Sequence, residues 1–195
     1  MGEVSGSKII FIVGMAGSGK SIVSDELAKL GFAFLRLGQI TLDKIKELGL
    51  APIEENERKI REGFRKEYGM GAFAFLNIPK FEELLKKSNV VGDGLYSWSE
   101  YKILKEKYKD AMTVIAVYAP PELRYKRLRE RKLKKNDSKM RSRPFTAEEA
   151  KSRDYAEIEN IEKGGPIAMA DFTIINTGTV GELKEDLSKI LSQIL

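Results

Sequence analysis

The 195-residue sequence contains no cysteine and no histidine. Without cysteine, neither a disulfide framework nor a thiolate nucleophile can form, which fits a cytoplasmic protein, and this is the location that we predict. Without histidine, the commonest zinc ligand and the usual general base are both missing. Any metal ion is therefore expected to be a hard cation bound by oxygen atoms, such as Mg²⁺.

Long apolar runs and a strong charge imbalance are also missing. No stretch has the roughly 20 apolar residues that a membrane-spanning helix needs, and the polar start does not match a signal peptide, so we predict no membrane association. The net charge of +5 suits an anionic ligand or merely a soluble surface. Aromatic residues do not alternate with the arginines of the most basic stretch, 124–135, so we predict no nucleic-acid binding.

Apolar runs divide the chain into alternating strands and helices. Residues 8–13 and 112–118 are β-branched apolar runs typical of buried strands, and shorter runs at 32–37, 89–91 and 172–175 predict three more. Helical patterns occupy 21–30, 96–108, a long basic segment opened by Pro120 and Pro121, 146–162, and 181–195. This alternation predicts an α/β fold with a five-stranded parallel sheet.

Two polar segments interrupt the alternation. Residues 38–87 are predicted to be mostly helical, with breaks at Pro52, Gly69, Gly71 and Pro79. Residues 134–145 are charged and without periodicity, which predicts a loop. We therefore predict one domain over residues 1–195, with insertions near 39–87 and 129–165.

The stretch GMAGSGKS, residues 14–21, lies between the first predicted strand and the first predicted helix. Its order G-x-x-x-x-G-K-S is that of a phosphate-binding loop (P-loop), in which backbone N–H groups and the helix N-terminus surround an anion. A flexible turn is the alternative, but the strand and helix are the context that phosphate binding requires. We predict that Lys20 reaches the β and γ phosphates of ATP and that the Ser21 hydroxyl ligates Mg²⁺. The predicted ATP-binding residues of this region are Gly14, Ala16, Gly17, Ser18, Gly19, Lys20, Ser21 and Ile22.

Asp93 ends a short predicted strand in VVGDGLY. In P-loop proteins an acid at a neighbouring strand tip helps to hold Mg²⁺, and we predict this role for Asp93; an Asp-Gly turn is the alternative. An N-K-x-D guanine signature is missing, and Tyr96 stands where D-x-x-G would need glycine. Small size and two polar insertions favour a kinase that closes over two small substrates.

Arginines concentrate in the first insertion, on the predicted basic helix after the fourth strand, which is expected to include Arg131, and in the segment that follows it. Phosphoryl transfer needs cations that neutralise the migrating group, and we predict that Arg127, Arg131 and Arg153 serve this purpose. The neighbouring arginines are interpreted mostly as a solvated face: Arg124, Arg129, Arg141 and Arg143. In the first insertion, Arg58, Arg61 and Arg65 share a helical face, which either holds the acceptor's phosphate or is a solvated surface interleaved with glutamate.

Five stretches resemble the nucleoside-monophosphate-kinase-like P-loop family, above all its archaeal adenylate-kinase-related, dephospho-CoA-kinase-like members. They are FIVGMAGSGKS, GFAFLRLGQI, VVGDGLYSWSEY, VIAVYAPPELRYKRLRERK and ADFTIINTGT, which extend over nearly the whole chain. The resemblance implies a strand order of 2-3-1-4-5, an acceptor-binding insertion after strand 2 and an arginine-bearing lid after strand 4. It also implies that Asn176, Thr177 and Gly178 lie beside the adenine of ATP. The alternative for these residues is an ordinary turn with Thr179 as a helix cap.

The acceptor side departs from the family pattern. Adenylate kinases have an acid where this sequence has Gln39, and an arginine about where it has Leu42 and Asp43. Relatives often have arginine shortly after the Asp-Gly of the third strand, where this sequence has Tyr96. We therefore expect an acceptor site that differs from a standard AMP site. The predicted substrate-binding residues are Gln39, Arg61, Arg65, Gly94 and Tyr96.

The main functional hypothesis is a kinase that transfers the γ-phosphoryl group of Mg-ATP to a nucleotide-like acceptor, either a nucleoside monophosphate or a molecule like dephospho-CoA. The predicted catalytic residues are Lys20, Asp93, Arg127, Arg131 and Arg153, and the predicted metal ligands are Ser21 and Asp93. The altered acceptor positions motivate an alternative, an ATP-binding regulatory or assembly protein with weak ATPase activity. The expected partners are ATP and a small phosphorylated acceptor, and the expected state is a monomer or small homo-oligomer.

Overall fold

The computed structural model describes residues 6–131 and 144–195, so the predicted arginines Arg141 and Arg143 lie outside the described residues. The strands are β1 (Ile9–Val13), β2 (Ala33–Arg36), β3 (Val90–Asp93), β4 (Met112–Tyr118) and β5 (Phe172–Ile175). The helices are α1 (Lys20–Lys29), α2 (Gln39–Glu47), α3 (Glu54–Tyr68), α4 (Ala72–Leu85), α5 (Trp98–Tyr108), α6 (Pro121–Arg129), α7 (Ala147–Ile161), α8 (Gly164–Ala168) and α9 (Val180–Ile194), with a 3₁₀ turn at Lys109–Ala111.

The five strands form one parallel sheet in the order β2-β3-β1-β4-β5. This confirms both the predicted α/β fold and the strand order that the resemblance implies. In the central strand β1, Ile12 is paired with Asp93 on β3 and with Ile115 on β4. The order of the strands along the chain reverses at β1, and ligands of open α/β sheets bind beyond the carboxyl ends of the strands at such a point.

Alternating side chains of β1 supply both cores of the molecule. Phe11 belongs to one core, which α4 and α5 cover, and its ring packs edge-on against Phe81 with 5.4 Å between ring centres. Ile10 and Ile12 belong to the other core, which α1 and α9 cover. All five residues of β1 are buried because both faces and both edges of this strand are occupied. A rigid strand therefore leads directly into the P-loop.

Two predicted features of the helices are wrong. Pro79 was expected to break the first insertion, but it lies inside α4. Proline has no N–H, so Pro79 cannot donate a hydrogen bond to the carbonyl of Phe75 one turn earlier. Both residues lie on the exposed side of the helix, where water can donate to that carbonyl instead. The basic helix is shorter than expected, because α6 ends at Arg129 and Arg131 follows it as irregular chain.

Thr146 starts α7 as the sequence predicts. Its hydroxyl accepts a hydrogen bond from the Glu149 N–H at 3.1 Å, and the Glu149 carboxylate accepts one from the Thr146 N–H at 2.8 Å. This reciprocal capping box fixes the helix that carries Arg153. Within the described ranges, no helix combines the length and apolar character that crossing a membrane would require.

Candidate phosphate-binding site

The P-loop joins β1 to α1, and three of its glycines, Gly14, Gly17 and Gly19, have positive φ angles. Gly19 has a φ of 108°, in the left-handed region, and the helix begins at the next residue, Lys20. The first turn of α1 carries no acidic side chain, so the positive end of the helix stays available for an anion. The Lys20 ammonium donates to the Met15 carbonyl at 2.9 Å. The Ser18 hydroxyl is buried and has no hydrogen-bond partner among the described residues.

Asn176 ties the end of β5 to the P-loop. Its side-chain amide donates to the Ser18 carbonyl at 2.7 Å, and its backbone carbonyl accepts from the Arg127 guanidinium at 3.0 Å. A Cβ atom at Gly19 would overlap the amide nitrogen of Asn176, so the glycine makes this approach possible. The Thr179 hydroxyl also caps α9 by accepting from the Glu182 N–H at 3.2 Å. The N-x-G-T stretch therefore supports the loop and starts a helix.

A cavity of about 250 Å³ opens beside the P-loop. It brings together many of the predicted donor-site residues and one that was not predicted, Val180. The lining residues are Gly17, Gly19, Ser21, Ile22, Arg127, Arg131, Asn176, Gly178 and Val180. The other predicted residues of the loop do not line this cavity: Gly14, Ala16, Ser18 and Lys20.

Arg124 is buried, which contradicts its interpretation as part of a solvated face. Its guanidinium donates to the Ala16 carbonyl of the P-loop at 3.1 Å and to the Ala119 carbonyl at 3.0 Å. It also forms an ion pair of 2.6 Å with Asp154 on α7, with both side chains about 5% exposed. The Asp154 carboxylate accepts a further bond from the Tyr125 hydroxyl at 3.1 Å. Arg124 thus connects the P-loop to the helix that carries Arg153.

The charged groups around Lys20 come from several elements. Burial is the main cause that lowers the pKa of Lys20 to about 7, and the positive charge of Lys163 contributes further. The negative charges of Asp93, at the tip of β3, and of Glu157 raise this pKa and so partly offset the other two effects. Arg153 adds a third positive charge near this ammonium group. The Lys20 side chain therefore lies where groups from β3 and α7 meet the P-loop.

Glu157 on α7 holds two cations. Its carboxylate accepts from the Arg153 guanidinium at 2.8 Å and from the Lys163 ammonium. Burial would raise the pKa of Glu157, but the charges of Lys163 and Arg153 outweigh it and lower that pKa. Burial lowers the pKa of Arg131, and the charge of Arg153 adds to this effect. The predicted Arg131 and Arg153 therefore lie within electrostatic reach of each other.

Tyr96 faces this cluster from the loop after β3. The Lys163 ammonium lies 4.5 Å from the centre of its ring. Burial, followed by the negative charges of Asp93 and Glu157, raises the pKa of the Tyr96 hydroxyl to about 12, so the phenol stays neutral. The Tyr96 N–H donates to the Glu100 carboxylate at 2.9 Å, which holds the loop. The predicted acceptor residue Tyr96 thus lies near the predicted catalytic residues Lys20, Asp93 and Arg153.

Comparisons with known proteins place the chain in a family. A family model described as an AAA domain matches residues 10–160. A UPF0200 protein of Thermococcus kodakarensis is 34% identical over 189 residues, which cover 96% of this chain and 98% of the relative. The chain belongs to the UPF0200 family, among the AAA-domain P-loop proteins.

Solved structures show which fold this UPF0200 chain shares. TT1252 from Thermus thermophilus matches with a TM-score of 0.63 and 20% identity, over 97% of this chain and 98% of that one. A shikimate kinase from Bacteroides thetaiotaomicron matches with a TM-score of 0.57 and 14% identity, over 96% and 98%. At these identities the likeness concerns the fold alone. The UPF0200 chain therefore has a kinase-like P-loop fold, as the resemblance of its five stretches implies.

The other predicted acceptor residues are more scattered. The Gln39 amide donates to Asp43 at 3.1 Å on the exposed side of α2, and Arg61 pairs with Glu57 at 3.3 Å on α3. The Arg65 guanidinium lies 5.5 Å from the centre of the Phe73 ring. Gly94 follows β3 with a φ of 90°, which places Tyr96 beyond a turn that favours glycine.

Several residues near Lys20 in this UPF0200 protein were not predicted from its sequence. Arg36 ends β2 opposite Asp93, and its charge acts on the Tyr96 hydroxyl. Glu157 could have been found, since it lies four residues after Arg153 on a helix. Lys163 had no comparable signal, because it follows the end of α7 beside two glycines.

Proposed function

We propose that the protein is an ATP-dependent kinase that transfers the γ-phosphoryl group to a small phosphorylated acceptor. The observation that carries this proposal is the convergence of Lys20 from the P-loop, Arg153 and Lys163 from the α7 region, and Tyr96 from the loop after β3. A nucleotide site alone needs only the P-loop, whereas a transfer site also needs cations around the migrating group.

Ser21 and Asp93 suit a magnesium ion. Their donors are a hydroxyl and a carboxylate oxygen, which Mg²⁺ prefers, and Mg²⁺ commonly needs only one or two protein ligands besides phosphates and water. Among the described residues, no group of three or more His, Cys, Asp or Glu side chains forms a complete metal cage, and such a cage is not required for this role. When bound, the ion neutralises charge on the β and γ phosphates.

The transfer itself breaks the bond between the γ phosphorus and the bridging oxygen and forms a bond to an oxygen of the acceptor. The bond electrons leave with ADP, whose new charge the P-loop N–H groups and Lys20 stabilise. We propose that Arg127, Arg131 and Arg153 neutralise the charge of the migrating group. A phosphate acceptor needs no general base because it is already an anion, whereas a hydroxyl acceptor would give its proton to Asp93.

The acceptor is proposed to be nucleotide-like, a nucleoside monophosphate or a molecule resembling dephospho-CoA. Cationic side chains from α3, Arg61 and Arg65, and the polar groups of Gln39, Gly94 and Tyr96 would form its site. We propose that the insertion near 39–87 binds this acceptor and that the segment near 129–165 acts as the lid. The protein is expected to be cytoplasmic and to work as a monomer or small homo-oligomer.

An acceptor panel tests the proposal. ADP release from Mg-ATP would be measured with nucleoside monophosphates, dephospho-CoA, shikimate and gluconate, using wild type, Lys20→Ala and Lys29→Ala. Lys29 is the matched control because it lies on the same helix with a side chain that is 67% exposed. We expect one acceptor to raise the rate at least about tenfold in wild type and Lys29→Ala, and Lys20→Ala to lose about 10² or more of that rate.

The same panel examines the second candidate, a regulatory or assembly protein with weak ATPase activity. The replacement of the usual acid and arginine by Gln39 and Tyr96 favours this alternative. If the rate of ADP release stays at the basal level with every acceptor, and Lys20→Ala matches wild type throughout, the kinase proposal is wrong.

A further inference from the structure

Lys163 is an unusually buried lysine at the junction of α7 and α8. Only 3% of the residue is exposed, although lysine is almost never fully buried without a purpose or a partner. The preceding residue, Glu162, ends α7 in the left-handed conformation, with a φ of 55°. This turn directs the chain back, and the Lys163 ammonium reaches both the Glu157 carboxylate and the face of the Tyr96 ring.

One carboxylate is shared between Lys163 and Arg153. Glu157 accepts from both cations, and its side chain is 12% exposed. A lysine ammonium has three N–H donors, and Glu157 occupies one of them. The contact with Glu157 therefore fixes the position of the Lys163 ammonium and leaves N–H donors of that ammonium for a further acceptor.

When Lys20 is protonated, positive charge exceeds negative charge in this cluster. The cations of this cluster are Lys20, Arg153 and Lys163, and the carboxylates that act on them include Asp93 and Glu157. Asp154 also acts on Lys163, but its carboxylate is engaged by Arg124. Bringing cations together in a partly buried place is costly unless an anion neutralises them. A phosphoryl group supplies that charge.

We propose that Lys163 is a further catalytic residue, whose ammonium group contacts the γ-phosphoryl group of bound ATP across the site from Lys20. Glu157 is the positioning residue that holds Lys163 and Arg153 for this contact. The inference rests on the proposed function, because it assigns a ligand to that same site. If Lys163 only stabilised the packing between α7 and α8, it would contribute equally to the binding of nucleotides with and without a γ-phosphoryl group.

The test compares two nucleotides that differ only in the third phosphoryl group. Dissociation constants for ADP and for the imido analogue of ATP would be measured with Mg²⁺ by calorimetry, in wild type, Lys163→Met, Lys163→Arg and Glu157→Gln. Lys151→Met is the control, since Lys151 lies exposed on α7, the helix that carries Glu157. The single tryptophan, Trp98, packs against Gly165 two residues from Lys163, so its fluorescence gives a second binding signal.

We expect Lys163→Met to weaken binding of the ATP analogue about tenfold or more, the loss typical of a charged hydrogen bond, and to change ADP binding less than about twofold. Lys163→Arg should keep most of the affinity, Glu157→Gln should lose part of it selectively, and Lys151→Met should match wild type. If the two nucleotides lose affinity by the same factor in Lys163→Met, or neither changes, the proposal is overturned.

Two further outcomes remain distinct. If Lys163→Met does not fold, Glu157→Gln decides, and equal effects on both nucleotides would overturn the assignment. If wild type shows the selective contact but no acceptor accelerates ADP release, the proposed kinase function fails while Lys163 remains a γ-phosphoryl ligand.

Discussion

At the scale of single residues, the surroundings of Lys20 determine its protonation state before a phosphate binds. Burial and the nearby charge of Lys163 disfavour the protonated ammonium, so its pKa falls to about 7. Bound phosphates would reverse this effect by supplying negative charge. In the unfolded chain the pKa is about 10.5. The nucleotide-free protein should therefore gain stability as the pH rises between these values, because the unfolded chain then binds more protons.

Nucleotide binding is therefore predicted to take up a proton above neutral pH. At pH 8 most free protein has a neutral Lys20, and contact with the β phosphate restores the ammonium, so uptake should approach one proton per ADP. Calorimetry in buffers of different ionisation enthalpy measures this number. Lys20→Met should abolish the uptake and Lys29→Met should keep it; uptake that persists in Lys20→Met would contradict the prediction.

At the scale of elements, buried polar contacts fix the P-loop against its neighbours. Arg124 joins α6, the P-loop and α7 through the Ala16 carbonyl and Asp154. Asn176 joins the end of β5 to the same loop through the Ser18 carbonyl. These contacts make the position of Arg153 depend on the P-loop, because Arg153 directly precedes Asp154 in α7.

Arg124→Met should destabilise the protein by about 3–5 kcal/mol, because it leaves Asp154 buried without its cation. Combining it with Asp154→Asn should recover part of this loss, since no unpaired charge then remains. Chemical denaturation measures both values. Lys189→Met removes an exposed ion pair with Asp186 and should leave the free energy of unfolding close to that of wild type. An equally small effect of Arg124→Met would contradict this role.

Glu100 fixes the loop that carries Tyr96, and it does so as a buried carboxylate. It is 2% exposed and accepts from the N–H groups of Tyr96 and Ser97 at 2.9 and 3.0 Å. Burial raises its pKa to about 7, although both hydrogen bonds act in the opposite direction. The stability that protonated Glu100 contributes is complete below about pH 4.5, its unfolded value, and is lost as the pH rises through about 7.

Glu100→Gln should therefore gain stability relative to wild type as the pH rises from about 5 to 7. The difference should grow by at most about 1.4 kcal/mol per pH unit and level off above about 7. Denaturant titrations at several pH values measure it, with Glu106→Gln, an exposed position on the same helix, as the control. A difference that stays constant over this range would show that Glu100 is ionised throughout.

At the scale of the whole molecule, the sequence predicts the sheet well. Apolar runs locate all five strands of the described chain, and β5 matches its predicted limits at Phe172 and Ile175. The P-loop is predictable because its chemistry depends on consecutive residues. Pro79 shows the limit of local rules, since α4 continues through it by packing Phe81 into the core and turning the proline outward.

Lys163 and Arg124 could not be found from the sequence for a physical reason. Their significance comes from contacts with residues far along the chain, Tyr96 for Lys163 and Ala16 for Arg124. No periodic pattern encodes such distant contacts. Local chemistry therefore predicts where the P-loop lies, whereas tertiary structure determines which charged groups surround Lys20.

The central claim is that phosphoryl groups pass from ATP to an organic acceptor and not to water. Transfer of label from γ-labelled ATP, followed by separation of the products, tests it with the acceptors of the panel. We predict a labelled organic phosphate that forms in wild type and Lys29→Ala and is missing in Lys20→Ala. Label that appears only as inorganic phosphate, whichever acceptor is present, would contradict the account.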